Sequence, residues 1–340
     1  MLNFREVVCA LSITITACIF PSSARLDEDF RHKEVRLVIG QEGGTTYDIY
    51  ARTVTRHMTR WMPGKPTFVA INMPGAGSVV ALNHLYNVAS KDGSVIGAIN
   101  PGAIANGILR PETAHFDARK FNWIGSVARE TEVIVVRSDS KVRSLSDSLN
   151  IEIVMGGTGG ASSVLPAMLN GVLGTKFKII SGYKGANDAF LAMMRGEVDG
   201  VGATTLTNLK TTQANLLEGN KVRIIGQYGL APNATLAGVP TVMDLVQDQN
   251  QRDAFRLILT RQEIGRAMLA PPDVPQRIAS VFREAFEKTM NDPAFREEVK
   301  VRQMDYDPQS AETLQRLVAD LYTASPEVVE RVRGILGGRN

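Results

Sequence analysis

Three glycine-rich segments have the composition of anion-binding turns. Each follows an apolar run that predicts a strand and precedes a periodic run that predicts a helix: residues 43–48 (GGTTYD), 74–78 (PGAGS) and 156–163 (GGTGGASS). The first turn of a helix leaves backbone N–H groups unpaired at the positive end of the helix dipole, and glycine lets an anion approach them. A single such turn is more simply explained by tight chain geometry. Three of them, in two similar units, favour an anion held between the units.

Other motifs that act on anions or esters are missing from the sequence. No segment fits the phosphate-binding GxxxxGK[ST] pattern, the dinucleotide-binding GxGxxG pattern at a helix start, or the GxSxG nucleophile turn. All four His precede residue 116 and none has a metal-ligand spacing, so Ser162 and Ser163 have no evident base. A carboxylate is therefore the simplest anion. We predict a binding protein that has no metal, no cofactor and no catalytic residue.

Asp48, just after the first turn, allows two interpretations. It stands four residues before Arg52, so it either forms an i,i+4 ion pair or faces the ligand as a hydrogen-bond acceptor. In the second case Asp48, together with Glu42 if it faces inward, repels a second ligand carboxylate. That repulsion is roughly 4 kcal/mol at about 4 Å and an effective dielectric constant of about 20. It favours a monocarboxylate that carries a hydroxyl or amino group.

Ser78 and Ser162 stand beside glycines at the starts of two predicted helices. Each hydroxyl is expected to cap its helix and to donate a hydrogen bond to a ligand carboxylate. Capping alone is the simpler alternative.

The hydrophobic pattern alternates between strands and helices twice along the chain. Residues 35–40, 67–72 and 95–99 predict the strands of one βαβαβ unit, and the pattern restarts at Val133. At 340 residues the chain is longer than one core usually fills. We predict an α/β protein of two lobes, each a doubly wound, mainly parallel sheet with flanking helices. The predicted lobes are residues 25–132 with 232–340, and residues 133–231.

The N-terminus predicts export. An apolar run over residues 7–20 is too short to span a bilayer, and the small residues Ser22 and Ala24 suit signal peptidase. We therefore expect residues 1–24 to be a signal peptide and the mature protein to be periplasmic. Both cysteines lie within that segment, so no disulfide is expected. The alternative is a lipoprotein anchored at Cys18.

In its glycine-rich turns and the strands and helices beside them, the chain resembles a known family, the extracytoplasmic solute receptors of tripartite tricarboxylate transporters, also called Bug receptors. The resemblance extends from about Val35 to the C-terminus, and the order and spacing of its motifs are specific. The motifs are VRLVIGQEGGTTYDIYAR (35–52), INMPGAGS (71–78), KDGSVIGAI (91–99), GGTGGASS (156–163) and GYKGANDAFLAMMRGEVD (182–199).

The resemblance implies a two-lobed periplasmic binding protein of the Venus-flytrap type, which closes on a small organic carboxylate. Turns from both lobes would hold the ligand. The implied ligand-binding residues are Gly44, Thr45, Thr46, Tyr47, Asp48, Pro74, Gly75, Ala76, Gly77, Ser78, Thr158, Gly159, Gly160, Ala161, Ser162, Ser163, Lys184 and Asp199.

The family also implies a partner and a task. We expect a monomer that delivers its ligand to the membrane permease subunits of a tripartite transporter. Two alternatives stay open: a sensory co-receptor that presents the same ligand to a signalling partner, and an enzyme on a similar frame. The net charge of +3 gives no reason to expect a nucleic-acid partner.

Overall fold

Two mixed β-sheets, each with helices packed on it, form the protein. The computed structural model describes residues 34–158 and 160–337, so the expected signal peptide and the possible anchor at Cys18 lie outside the described residues. In chain order the strands are β1 (Glu34–Ile39), β2 (Thr67–Asn72), β3 (Val95–Ala98), β4 (Asn122–Ser126), β5 (Glu132–Arg137), β6 (Ile153–Gly157), β7 (Phe177–Ser181), β8 (Gly200–Thr205), β9 (Val222–Tyr228), β10 (Ala267–Ala270) and β11 (Gln309–Ser310).

Helices connect and cover these strands. They are α1 (Thr46–Met58), α2 (Val79–Asn87), α3 (Asn106–Leu109), α4 (Ala161–Leu173), α5 (Ala186–Met194), α6 (Leu206–Lys210), α7 (Ala214–Glu218), α8 (Gln249–Ile264), α9 (Gln276–Asn291), α10 (Pro293–Val301), α11 (Ala311–Leu321) and α12 (Pro326–Gly337). In the described part of the chain, none of them combines the length and the apolar character that a membrane crossing requires.

The first sheet has the strand order β11-β4-β10-β3-β1-β2. β1 pairs in parallel with β2 and β3, as the βαβαβ pattern predicts. β10 returns antiparallel between β3 and β4, and β11 pairs antiparallel with β4. Because β10 and β11 come from the last third of the chain, this sheet joins both ends of the described sequence.

The second sheet has the order β7-β6-β8-β5-β9. β6 is parallel to β7 and β8, whereas β5 runs antiparallel to both β8 and β9. The predicted two-lobed α/β class is confirmed. In detail both sheets are mixed rather than mainly parallel, because β10 and β11 run opposite to their neighbours in the first sheet and β5 does so in the second. The division at residues 132/133 and 231/232 stays a prediction.

Among the residues that the structure describes, the hydrophobic core forms three clusters, one of which runs through both lobes. That cluster includes Leu82 and Trp123 of the first lobe, Ile134 and Met168 of the second, and Val332 of α12. α12 lies so close to α4 that a Cβ added at Gly171 would come within 2.5 Å of Ile335. The two lobes therefore pack against each other through apolar side chains, including those between α4 and α12.

Candidate ligand-binding site

The turn after β1 is organised by the carboxylate of Asp48. This buried carboxylate accepts hydrogen bonds from the Gly44 amide (3.0 Å), from Arg52 Nε (2.8 Å) and from Asn72 Nδ2 (2.9 Å). Burial would raise the pKa of Asp48, but these hydrogen bonds and the charge of Arg52 lower it below its ordinary value. The ion pair with Arg52 was one of the two interpretations drawn from the sequence, and Asn72 extends it to the end of β2. The negative charge that we expected to repel a second ligand carboxylate is therefore compensated within the turn.

The turn after β2 is held by Ser78. Its hydroxyl is fully buried, donates to the carbonyl of Gly40 (2.8 Å) and accepts from the amide of Asn100 (3.0 Å). It makes no capping hydrogen bond to α2, so the expectation that Ser78 caps its own helix is wrong. The reason is its backbone, which has a positive φ of 90° and turns the side chain toward the ends of β1 and β3. Ser78 thereby fastens three strand ends together.

Backbone N–H groups at these two turns are unpaired and accessible. Within the described residues, the amides of Thr46, Tyr47, Ala76 and Gly77 make no intramolecular hydrogen bond. Thr46 and Tyr47 begin α1, where the first amides have no helical acceptor. A Cβ added at Gly77 would meet no atom within 4 Å, so the second turn faces open space. One edge of the first sheet thus offers four donors to an anion.

The turn after β6 is arranged differently. Ser162 Oγ accepts from the amide of Thr158 (2.9 Å) and lies 3.0 Å from Thr158 Oγ1, while Ser163 Oγ lies 3.2 Å from Ser181 Oγ. Gly160, not a serine, is the N-cap residue of α4, and it has no side-chain cap. Ser162 thus binds its own loop rather than capping its helix, contrary to the expectation. Gly159 lies outside the described residues.

The remaining predicted residues lie at opposite ends of the second sheet. Lys184 is exposed on the turn between β7 and α5, at the same edge as Thr158, because β6 and β7 are parallel. Asp199 precedes β8, and its carboxylate accepts from the amide of Val154 near the start of β6 (2.9 Å). The structure therefore does not bring Asp199 to the edge that carries the glycine-rich turns. Its role there is to connect two strands.

Sequence reasoning missed a buried charged cluster beside the first turn. The Tyr47 hydroxyl donates to Glu130 Oε2 (3.1 Å), and the Arg266 guanidinium donates to Glu130 Oε1 (2.9 Å) while stacking 4.2 Å above the Tyr47 ring. Burial, followed by the charge of Glu130, raises the pKa of the Tyr47 hydroxyl, so this group stays a donor. Glu130 belongs to the segment that leads from β4 to β5. The cluster therefore ties the first turn to a connection between the sheets.

Arg261 is a second residue that the sequence did not single out. It lies in the last turn of α8, where a basic residue is ordinarily explained by the helix dipole. In the structure its side chain is partly buried, and within the described part of the chain its guanidinium makes no hydrogen bond, although its charge interacts with that of the Glu132 carboxylate. A Cβ added at Gly102, in the turn after β3, would be 3.4 Å from Arg261 Cζ. The side chain therefore lies beside the third strand end of the same sheet edge.

A cavity of about 400 Å³ lies where the connecting segments of the two lobes meet. Its wall includes Thr131, Lys210, Tyr228, Asn233 and Asp305, and none of the predicted ligand-binding residues that the structure describes contributes to it. At its margin the Thr207 hydroxyl donates to the Asp305 carboxylate across the lobes. This cavity is adjacent to the charged cluster through Glu130, which lines it.

Comparisons with known proteins agree with this architecture. The UPF0065 protein in the gbd 5′ region of Cupriavidus necator is 23% identical over 340 residues, which covers 96% of each chain. A TctC solute binding protein from Polaromonas has the same fold, with a TM-score of 0.66 and 15% identity over 90% of this chain and 98% of that one. Rpa4515 of R. palustris, solved with adipate, has a TM-score of 0.61 and 19% identity over 88% of this chain and 97% of that one.

The family model of the tripartite tricarboxylate transporter family receptor matches residues 50–333. This range contains most of α1, both sheets except β1, and the helices up to α12. The chain therefore belongs to the receptor family of the tripartite tricarboxylate transporters.

Proposed function

We propose that this receptor binds a small organic carboxylate between its lobes and delivers it to the membrane permease subunits of a tripartite transporter. The observation that carries the proposal is the set of unpaired amides of Thr46, Tyr47, Ala76 and Gly77 at one sheet edge. Amides at a helix start and in a turn of residues with positive φ are donors for an anion, and a carboxylate oxygen fits them. The adipate bound to Rpa4515 supports a carboxylate as the ligand class.

In this proposal the second lobe closes over the carboxylate with the turn 158–163. The lobes are residues 25–132 with 232–340 and residues 133–231, and the mature protein works as a periplasmic monomer after removal of residues 1–24. We propose a receptor and not an enzyme. This is supported by the serine hydroxyls at the turns, because Ser78 and Ser162 are both buried and bound to the protein's own backbone.

The test removes one backbone donor without removing the helix. Thr46 is the first residue of α1, and its predecessor Thr45 has an extended backbone (φ −71°, ψ 162°). Proline is tolerated at this position, and an extended residue is what must precede it. In Thr46→Pro we expect carboxylate affinity to fall by about 10-fold or more, because a hydrogen bond to a charged group contributes roughly 1.5–3 kcal/mol.

The matched control is Gln249→Pro. Gln249 is the first residue of α8, is exposed, and follows Asp248, which is also extended (φ −136°, ψ 170°). Calorimetry with a panel of C2 to C6 carboxylic acids would compare both variants with the wild type. The proposal is rejected if no acid binds the wild type, or if Thr46→Pro binds as tightly as Gln249→Pro.

A further inference from the structure

The cluster around Arg261 contains two arginines and two glutamates whose charges interact, but Arg261 makes no hydrogen bond to either glutamate within the described residues. Arg266 is paired with Glu130 (2.9 Å), and the Glu132 carboxylate accepts from Gln262 Nε2 (2.7 Å). Arg261 lies near this group, but its guanidinium donates to none of the described residues, and its Nε is fully buried. A buried donor that lacks an acceptor costs free energy, and a charged donor costs more. A guanidinium whose donors are unsatisfied, near free backbone amides, is suited to bind an anion.

The position of Arg261 links it to the proposed carboxylate site. Its guanidinium packs against Gly102 in the turn after β3, and the amide of Asn100 in that turn donates to Ser78 of the turn after β2. Its charge also acts on the Tyr47 hydroxyl of the turn after β1. Arg261 therefore lies beside the ends of β1, β2 and β3, and the turns after the first two of these strands carry the free amides. Asn100 and Gly102 are partly exposed, so solvent reaches this place.

We infer that Arg261 is a specificity-determining residue, and that its guanidinium binds a second anionic group of the ligand while the backbone amides of the first two turns bind the first. The inference rests on the proposed function. A planar guanidinium can hold a carboxylate through two parallel hydrogen bonds, which adds geometric selectivity as well as affinity. This inference about Arg261 replaces the preference for monocarboxylates that the sequence suggested. The Asp48 charge on which that preference depended is compensated by Arg52.

The experiment compares acids that differ in one carboxylate. The probes are succinate, glutarate and adipate, each set against the monocarboxylate of equal carbon number: butyrate, pentanoate and hexanoate. We expect Arg261→Gln to weaken binding of the best diacid by about 10- to 100-fold and to leave the matched monoacid within about twofold. Arg261→Lys should recover part of the diacid affinity, because it keeps the charge but not the planar fork.

Arg256→Gln is the matched control, since Arg256 lies on the same helix, is exposed, and is 3.6 Å from Asp253. The inference is overturned if Arg261→Gln weakens the binding of diacids and monoacids equally, if it leaves both affinities unchanged, or if the wild type binds only monoacids. In each of those cases the proposed carboxylate receptor stands. If the wild type binds none of the six acids, the proposed function and the inference about Arg261 are both wrong.

A purely structural role for Arg261 makes a different prediction. If Arg261 only balances Glu132, then Arg261→Gln should lower the melting temperature, and Glu132→Gln combined with Arg261→Gln should restore it with no change in ligand ranking. Recovery of stability with unchanged diacid binding would overturn the inference. Loss of diacid selectivity in the well-folded double variant would support it.

Discussion

The turns after β1 and β6 contain the same local hydrogen bond, but the two lobes use it differently. In the first lobe the Gly44 amide donates to a side chain four residues later, the Asp48 carboxylate. In the second lobe the Thr158 amide also donates to a side chain four residues later, the Ser162 hydroxyl. A carboxylate has room for several donors, whereas a hydroxyl has room for few. Asp48 therefore also binds Asn72 and Arg52, which joins two turns into one surface.

Under the proposed function, this difference gives the two edges separate tasks. The first lobe fixes its turns relative to one another and leaves their amides free, as a preformed anion site requires. In the second lobe, the turn after β6 is held by hydrogen bonds between Thr158 and the neutral hydroxyl of Ser162. Similar glycine-rich patterns in a sequence therefore do not predict equivalent sites. What distinguishes them is the polar residue at the fourth position after the turn begins.

The largest expected effect separates Asp48 from Ser162. Asp48→Ala removes the acceptor of three hydrogen bonds, two of them from side chains, so the free energy of unfolding should fall by about 3 kcal/mol. Ser162→Ala removes a hydroxyl that makes two hydrogen bonds, both with Thr158, and should cost about 1.5 kcal/mol. Urea unfolding of both variants measures the difference. Equal losses would show that the carboxylate does not organise the first lobe more strongly than the hydroxyl organises the second.

The sequence predicted much of the fold, because strand and helix periodicity are local properties. The parallel units β1-β2-β3 and β6-β7-β8 follow from alternating apolar runs and turns. The antiparallel placement of β5 and β10 could not be predicted in this way, since it depends on how the chain passes between lobes. Asp199 was assigned to the site through the family resemblance. It ends the motif over residues 182–199, but it lies just before β8, at the end of the sheet opposite the glycine-rich turn.

The site was predictable where the chemistry belongs to the backbone. Glycine-rich turns before helices indicated the free amides of Thr46, Tyr47 and Gly77 directly. The direction of a side chain was not predictable, because Ser78 depends on a positive φ that nothing in the local pattern demands. Arg261 could not be predicted as a site residue from the sequence, for another reason. Its distinguishing feature is that its guanidinium makes no hydrogen bond within the described residues, and hydrogen-bond partners come from segments far away in sequence.

A smaller effect is expected from Ser78, and it tests whether the two turns are one unit. Ser78→Ala leaves the Gly40 carbonyl and the Asn100 amide without this partner in a fully buried position, so the free energy of unfolding should fall by about 2 kcal/mol. Because the hydroxyl is engaged within the protein, carboxylate affinity measured by calorimetry should change by less than about threefold. Ser78→Cys has a similar volume and a weak donor, so its free energy of unfolding should lie between those of the wild type and Ser78→Ala. A large loss of affinity with unchanged stability would show instead that the hydroxyl turns to the ligand.

The smallest expected effect is a pH dependence of the Gly44 hydrogen bond that the equivalent bond at Thr158 lacks. The pKa of Asp48 lies below its ordinary value of 3.8 in the folded protein. The hydrogen bond from Gly44 is therefore fully stabilising above that ordinary value, and it is lost as the pH falls through the lower pKa of the folded state. Ser162 does not titrate, so the equivalent bond from Thr158 should be unaffected. Amide chemical shifts in a nuclear magnetic resonance titration should move for Gly44 and stay constant for Thr158. Asp48→Asn should abolish the Gly44 response, and parallel movement of both amides in the wild type would contradict the contrast between the two turns.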